Sequence, residues 1–151
     1  MSEYWENHWN NIPENIDKQR QVGRTVNKNP IQEQLFQKTL SWVAEQMQIN
    51  KTSCLLELCC GNGVWTIPYS KLVKRITAID FSASLLNVLK KEIEKQKINN
   101  VDIILENIAV MDWKKYNHFT HIFLQFALQN FSEQEVILLF ENVYSVLKID
   151  G

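Results

Sequence analysis

Short apolar segments that alternate with amphipathic helical patterns constrain the fold of this chain more than any other feature. From about residue 53 onward the order is strand, helix, strand, helix, strand, link, strand and helix, with the strands read from SCLLEL, RITAID, VDIIL and HIFLQF. Apolar runs of this length are typical of strands that are buried on both faces. Strands that alternate with helices indicate a parallel sheet with helices on both faces. The sequence therefore predicts a doubly wound α/β fold.

The helical segments between these strands carry their own signals. Residues 64–72 predict a short helix and residues 82–97 a longer one, with leucines at helical spacing on its inner face. The last helix, residues 132–148, begins with Ser132 and Glu135 at the spacing of a capping box.

The stretch that precedes the first strand is polar and aromatic at its start. Trp5 and Trp9 lie four positions apart, so on a helix they share one face. That face either docks on the main body or forms a lid over a ligand. Asn29 and Pro30 predict the N-cap and the first position of a further helix.

Composition limits the class of protein. With 151 residues, 45% hydrophobic and 22% charged, we expect one globular domain, divided into an N-terminal helical cap segment, 1–50, and a core, 51–151. A net charge of −1 argues against a nucleic-acid partner. We see no cleavable leader and no membrane-spanning run, so we expect a cytoplasmic protein without a membrane partner. Three cysteines without a C-x-x-C pair predict neither a disulfide framework nor a metal site.

The bend after the first strand, CLLELCCGNGVWT at 54–66, is the strongest functional signal. Its Gly61 and Gly63 lie where a parallel strand turns into its helix, the place at which open sheets bind ligands. Taken alone, they fit a tight turn equally well. Glu57 adds a second signal, because a buried carboxylate needs a cation, a donor or a ligand cleft. Asp80 adds a third, since it ends the second strand near the roughly 20-residue spacing at which an acid meets ribose hydroxyls.

The residues around this bend discriminate between nucleotides. A dinucleotide fingerprint needs a third small residue, and GNGVWT has Thr66 there with the bulky Trp65 before it. An acid ahead of the bend is unfavourable for a pyrophosphate but suits a ligand with an amino group. S-adenosylmethionine has an amino group, a sulfonium, a ribose and no phosphate. An NAD-dependent oxidoreductase is the disfavoured alternative.

At this point the sequence resembles the class I S-adenosylmethionine-dependent methyltransferases. LLELCCGNG is similar to their first motif, with Cys59 in place of the usual first glycine, and ITAIDFSASLL is similar to their second. VDIILENIA resembles the third, with Asn107 where an aspartate is common, and HFTHIFLQFALQNF resembles the fourth strand and its exit. YSVLKIDG resembles the helix that leads to a leucine-x-proline-glycine-glycine turn. The resemblance runs from about Ser53 and implies a Rossmann-like fold that is incomplete at its C-terminal edge.

The resemblance implies roles for residues near the methionine part of the cofactor. The loop under the methionine and ribose would be shaped by three small residues, Cys59, Gly61 and Gly63. Glu57 would hold the methionine amino group, and Gln125 would lie near the sulfonium. Arg24 would pair with the methionine carboxylate, although a surface arginine is the more common reading of such a residue.

It also implies roles at the nucleoside end. Asp80 would accept hydrogen bonds from both ribose hydroxyls, and Phe81 and Leu85 would flank the adenine. Asn107 would contact the adenine amino group, and the backbone N–H of Ile108 would contact a ring nitrogen.

The reaction and its acceptor are less constrained than the cofactor. Methyl transfer from a sulfonium depends on positioning more than on acid catalysis, so we assign no catalytic residue. The fourth strand does not end in the Asp/Asn-Pro-Pro-aromatic motif of enzymes that methylate exocyclic or amide nitrogens, so a small-molecule acceptor is expected by elimination. The alternative is a truncated, non-catalytic cofactor-binding fragment, or a partner subunit that self-associates through the open edge of its fourth strand.

Overall fold

The elements of the core follow the alternating order that the sequence predicts. The computed structural model describes residues 3–147, with only the backbone at residues 3 and 6. In chain order the elements are α1 (Glu3–Asn10), α2 (Lys18–Gln21), β1 (Thr25–Val26), β2 (Asn29–Pro30), α3 (Glu33–Gln46), β3 (Cys54–Leu58), α4 (Thr66–Ser70), β4 (Arg75–Asp80), α5 (Ala83–Gln96), β5 (Val101–Leu105), β6 (His121–Leu124) and α6 (Glu133–Val146). The turn predicted for the last residues lies outside the described part.

A parallel sheet with the strand order β5-β4-β3-β6 forms the centre of the domain. Its central strand, β3, is apolar on both faces, and Leu55 and Leu56 are both fully buried. Because successive side chains of a strand point to opposite faces, these leucines belong to different cores. The predicted doubly wound α/β fold is confirmed.

Helices cover both faces of this sheet. On one face α3, α4 and α5 pack over β3 and β4, with Phe36, Leu55 and Leu89 among the buried residues. On the other face α6 packs over Leu56, together with Trp113 from the link between β5 and β6. The α6 N-terminus has the predicted capping box, in which Ser132 and Glu135 satisfy each other's backbone N–H.

The N-terminal segment contains a hairpin that the sequence analysis did not find. Asn29 and Pro30 form β2, which pairs antiparallel with β1, so the prediction that they start a helix is wrong. The two residues between the strands, Asn27 and Lys28, have φ values of 50° and 63°. Positive φ at both positions is the geometry of a tight two-residue hairpin turn. The following helix therefore begins only at Glu33.

The same segment is attached to α5. The rings of Trp5 and Trp9 stack with their centroids 6.4 Å apart, which confirms their shared face. The Ser82 hydroxyl donates a hydrogen bond to the carbonyl of Trp9 at 2.8 Å. Further along, Lys91 contacts Glu14 at 2.5 Å. The contact between Ser82 and Trp9 holds α1 at the start of α5, next to the carboxyl end of β4.

The fourth core strand is shorter than predicted. β6 ends at Leu124, whereas the pattern extended the strand to Phe126. Phe126 has a φ of 53°, and a left-handed residue cannot continue a strand. After α6, Leu147 forms a parallel bridge with Phe119, so the chain returns beside the start of β6. In the part of the chain that the structure describes, no helix has the length and hydrophobicity to cross a bilayer.

Candidate functional site

Two small cavities adjoin at the carboxyl ends of β3, β4 and β6, beneath the N-terminal segment. The Glu57 cavity, of about 30 Å³, is lined by Val22, Arg24, Glu57, Leu58, Cys59, Cys60, Val64, Trp65, Phe123, Gln125 and Phe126. The Asp80 cavity, of about 60 Å³, is lined by Trp9, Val22, Cys59, Gly61, Asp80, Phe81, Leu85, Gln125, Phe126, Ala127, Asn130 and Phe131. The two cavities are neighbours, because they share four lining residues: Val22, Cys59, Gln125 and Phe126. The carboxylates of Glu57 and Asp80 therefore line adjoining cavities and not a single one.

Strand register brings the two carboxylates to the same face of the sheet. Glu57 on β3 is aligned with Ala78 on β4 and with Phe123 on β6. Asp80 lies two positions after Ala78, so its side chain points to the same face. Gln125, two positions after Phe123, follows the same alternation. The sequence therefore sets the side of the sheet on which the site lies.

Positive φ values let the chain turn sharply between β3 and α4. Cys59, Gly61 and Gly63 have φ values of 55°, 56° and 80°. A Cβ on Gly61 would lie 2.9 Å from Cγ1 of Val22, so its absence lets the N-terminal segment approach the loop. A Cβ on Gly63 would lie 2.2 Å from Cδ1 of Leu89, so this glycine serves packing against α5.

Asp80 joins this loop to the start of α5. The residue is only 5% exposed, and its carboxylate accepts hydrogen bonds from the backbone N–H of Gly61 and of Ser82, both at 2.8 Å. Burial raises the pKa of Asp80, while the N–H groups of Ser82, Gly61 and Phe81 act in the opposite direction. The carboxylate thus holds the loop in place and still lines the Asp80 cavity.

Glu57 is a buried acid with one unused oxygen. The residue is 2% exposed, and within residues 3–147 its Oε2 has no hydrogen-bond partner. Burial raises the pKa of Glu57 to about 8; the nearby Thr66 hydroxyl lowers the pKa, and the negative charge of Asp80 raises it further. Glu57 is therefore mostly protonated at neutral pH in this state.

Arg24 supplies a buried cation to the Glu57 cavity. Only 4% of the residue is exposed, and its guanidinium lies 4.7 Å from the Phe36 ring centroid and 4.8 Å from that of Trp65. Its Nη1 donates to Oε1 of Gln125 at 2.8 Å, whereas its Nε has no partner among the described residues. Burial lowers the pKa of Arg24. Aromatic faces thus hold the cation in place, and part of its hydrogen-bonding capacity stays unused.

Most of the residues predicted from the sequence come together at these cavities. Eight of them line one or both walls: Arg24, Glu57, Cys59, Gly61, Asp80, Phe81, Leu85 and Gln125. Gly63 instead lines a separate groove of about 660 Å³ between α3, α4 and α5. The Oδ1 of Asn107 accepts a hydrogen bond from the N–H of Ala109, and Ile108 packs in the core beneath α6. The roles assigned to all eleven stay predictions.

Several lining residues were not identified from the sequence. Trp9 and Val22 come from the N-terminal segment, and Phe126, Asn130 and Phe131 follow β6. The last three belong to FALQNF, directly after a predicted parallel strand, and that position alone was a signal. The described residues contain no cluster of three His, Cys, Asp or Glu side chains that could hold a metal ion.

Comparison with known proteins assigns the family. A family model described as a methyltransferase domain matches residues 55–151. The demethylmenaquinone methyltransferase of Oceanobacillus iheyensis is 26% identical over 122 residues, which are 77% of this chain and 50% of that protein. The chain thus spans half the length of that relative. A probable ribosomal RNA small subunit methyltransferase A of Methanosphaera stadtmanae is 30% identical over 78 residues, which are 52% of this chain and 29% of that protein.

A solved structure agrees with this assignment at the level of the fold. The phosphoethanolamine N-methyltransferase 1 of Haemonchus contortus, solved in complex with phosphoethanolamine and S-adenosylhomocysteine, superimposes with a TM-score of 0.73. The match covers 98% of this chain and 29% of that protein at 14% identity. Together with the family model, which covers more than half of the chain, these findings confirm the resemblance seen in the sequence: the chain belongs to the methyltransferase domain family.

Proposed function

We propose that this protein is an S-adenosylmethionine-dependent methyltransferase. One observation carries the proposal: a buried carboxylate, Glu57, and a buried guanidinium, Arg24, line the same small cavity and each keeps an unpartnered polar atom. A buried guanidinium is costly unless it is paired, and burial keeps Glu57 protonated until a cation faces it. The amino-acid end of methionine offers an ammonium group to Glu57 and a carboxylate group to Arg24. The cofactor would supply a methyl group activated by a cationic sulfur.

The neighbouring Asp80 cavity suits the nucleoside end of the same ligand. Each oxygen of the Asp80 carboxylate accepts one backbone hydrogen bond and has capacity for another, so it can take two ribose hydroxyls. Phe81 and Leu85 provide apolar walls for a base. Because Gln125 and Cys59 line both cavities, a ligand that fills both would pass beside these two residues.

Ligand entry requires the N-terminal segment to shift. Cavities of about 60 and 30 Å³ are much smaller than the roughly 300–1,000 Å³ of typical small-molecule sites. Trp9, Val22 and Arg24 contribute the part of the walls that comes from this segment. An outward movement of the segment enlarges both cavities, and its return would exclude water.

The residues of this chain would contribute mainly by positioning. Orientation alone can lower a barrier by roughly 7–11 kcal/mol, and methyl transfer from sulfur needs no acid to assist the leaving group. Arg24, Glu57 and Asp80 would fix the donor at both ends, and the aromatic walls would keep water out. None of the described residues that line the cavities is a histidine, so no general base is assigned.

The acceptor is proposed to be a small molecule. The relatives named above include a demethylmenaquinone methyltransferase and a probable ribosomal RNA methyltransferase, so the expectation that nucleic acid is not the substrate stays a prediction. It is supported by the net charge of −1, since phosphate contacts require an excess of basic residues. Cytoplasmic localisation also stays a prediction.

Calorimetry with the complete chain tests the cofactor. We expect S-adenosylhomocysteine to bind and NAD not to bind. Asp80→Asn should weaken S-adenosylhomocysteine binding by about tenfold or more, because hydrogen bonds to a charged group contribute about 1.5–3 kcal/mol. The matched control is Glu106→Gln, which removes a carboxylate at the end of β5 that lines neither cavity. Binding of NAD alone, or an unchanged affinity of Asp80→Asn, would contradict the proposal, whereas binding without methyl transfer would support the alternative of a non-catalytic fragment.

A further inference from the structure

The loop after β3 holds a buried amide side chain that lines neither of the two cavities. Asn62 is 2% exposed and lines the separate groove of about 660 Å³. Its Nδ2 donates hydrogen bonds to the carbonyl of Lys18 at 2.8 Å and to Oε1 of Gln21 at 2.6 Å. Gln21 is fully buried as well. The side chain of Asn62 therefore connects the glycine loop to α2 of the N-terminal segment.

Backbone carbonyls fix the orientation of both amides. Nε2 of Gln21 donates to the carbonyl of Pro13 at 3.0 Å and to that of Glu14 at 3.1 Å. Because a carbonyl only accepts, the other end of the Gln21 amide must be its oxygen, and that oxygen faces Asn62. The carbonyl of Lys18 also needs a donor. Asn62 supplies both donors, and an ionised aspartate in its place would supply none. We call Asn62 and Gln21 the amide pair.

The amide pair holds the stretch of chain that carries Arg24. The backbone N–H of Arg24 donates to the carbonyl of Gln19 in α2 at 2.8 Å, so the backbone of Arg24 is fixed relative to that helix. Val22, between α2 and Arg24, is the residue that approaches Gly61. That approach is a contact of apolar groups and has little directional preference. The amide pair is therefore the directional link between the glycine loop and the backbone of Arg24.

Stability alone does not explain a polar link at this place. Within residues 3–147 the Oδ1 of Asn62 has no hydrogen-bond partner, and a buried acceptor without a partner costs free energy. Two apolar side chains of the same shape would avoid this cost. What buried hydrogen bonds add is a defined distance and direction, because they make one arrangement of the groups more favourable than its alternatives. The amide pair thus favours position over stability.

We propose that Asn62 is a positioning residue, which acts through the amide pair and α2 to hold Arg24 at the amino-acid end of the cofactor. This assignment rests on the proposed methyltransferase function and adds a residue that would not itself touch the ligand. It has a specific consequence. The effect of Asn62 on affinity must depend on whether the ligand carries the carboxylate with which Arg24 would pair.

Two ligands that differ at this end provide the test. S-adenosylhomocysteine has the amino-acid group, whereas methylthioadenosine has the same nucleoside and sulfur without it. Calorimetry with the complete chain, below the unfolding temperature of each variant, gives both affinities, and the readout is their ratio. A shift of Val22, which lines both cavities, or a general loss of stability weakens both ligands. The ratio therefore isolates the effect on Arg24.

The variants remove the donors of Asn62 with and without a new charge. Asn62→Asp keeps the shape of the side chain, and Asn62→Ala brings no charge into the buried site, so it serves where the aspartate does not fold. Arg24→Gln and the double variant of Arg24→Gln and Asn62→Asp complete the cycle. The matched control is Asn100→Asp. The Nδ2 of Asn100 likewise donates to a backbone carbonyl, that of Ser70 at 2.8 Å, but at the opposite edge of the sheet.

We expect the preference for S-adenosylhomocysteine over methylthioadenosine to fall by about fivefold or more in both Asn62 variants, because the hydrogen bonds of Arg24 to a charged group are impaired. Arg24→Gln should lower the preference at least as much. The double variant should show the same preference as Arg24→Gln alone, since Asn62 acts through Arg24. Asn100→Asp should match the wild type.

The two proposals fail in different ways. An unchanged ratio in both Asn62 variants, or a further fall of the ratio in the double variant, would overturn the positioning role while S-adenosylhomocysteine still binds the wild type, so the methyltransferase proposal would stand. The absence of binding of either ligand to the wild type would overturn the methyltransferase proposal and the positioning role with it.

Discussion

Replacing Glu57 with glutamine tests whether a buried acid stays protonated in the ligand-free protein. In the folded protein burial raises the pKa of Glu57 to about 8, whereas the ordinary value is 4.5. Between pH 4.5 and pH 8, Glu57 keeps its proton in the folded state and releases it in the unfolded state. The contribution of Glu57 to the free energy of unfolding is therefore fully present below pH 4.5 and is lost as the pH rises toward 8. Glutamine has a similar shape and does not titrate, so Glu57→Gln removes this pH dependence.

The size of the effect follows from the linkage between protonation and folding. Each pKa unit corresponds to roughly 1.4 kcal/mol, and a pKa of 8 makes the wild type lose about 2.5 kcal/mol of unfolding free energy from pH 5 to pH 7. For a chain of this length about 1 kcal/mol corresponds to roughly 2–4 °C in Tm. The Tm of Glu57→Gln relative to that of the wild type should therefore increase by about 5–10 °C over this range.

Thermal unfolding followed by circular dichroism, at half-unit pH steps from 5 to 8, measures this difference. Other titrating groups are common to both proteins and cancel, and the value at pH 5 is the internal reference. A difference in Tm that stays constant from pH 5 to pH 7 would show that Glu57 is ionised and hydrated in the native state, and would refute the reasoning. Under the proposed function, the same substitution also weakens S-adenosylhomocysteine binding, so it should raise stability and lower affinity together.

Two further substitutions test the backbone of the loop after β3. Cys59→Gly should raise the unfolding free energy by about 1 kcal/mol, because a non-glycine residue at a φ of 55° is strained; equal denaturant midpoints of variant and wild type would argue against that strain. Gly63→Ala should lower the unfolding free energy by about 2 kcal/mol or more, since its Cβ would lie 2.2 Å from Cδ1 of Leu89 at a φ of 80°; a loss below about 0.5 kcal/mol in urea titration would show that α5 adjusts without cost.

The central sheet could be predicted because its signals are local. The four core strands are short apolar runs, and the helices between them carry caps such as Ser82, whose hydroxyl accepts a hydrogen bond from the N–H of Leu85. The positions of Glu57 and Asp80 near the ends of the first two predicted strands also placed both residues at the carboxyl edge of the sheet. These inferences need only the periodicity of one segment at a time.

The parts that were missed depend on contacts between distant segments. The hairpin at residues 25–30 has strands of two residues each, too short for any periodicity to appear. The position of Val22 over Gly61 joins segments that are far apart in the sequence, and no local pattern encodes that approach. Likewise the left-handed conformation of Phe126 has no local signal, because phenylalanine has no intrinsic preference for a positive φ.

Several energetically unfavourable features of this structure coincide at the two cavities, and that coincidence is itself evidence of function. Arg24 and Glu57 each keep a buried atom without a partner, and the only apolar residues with positive φ among the described non-glycine residues are Cys59 and Phe126. All four line a cavity wall. Each feature lowers stability, so folding alone would not favour their collection in one place. A ligand with opposite charges at its amino-acid end would pair the two buried groups, so two features that lower the stability of the protein alone would become contacts in the complex.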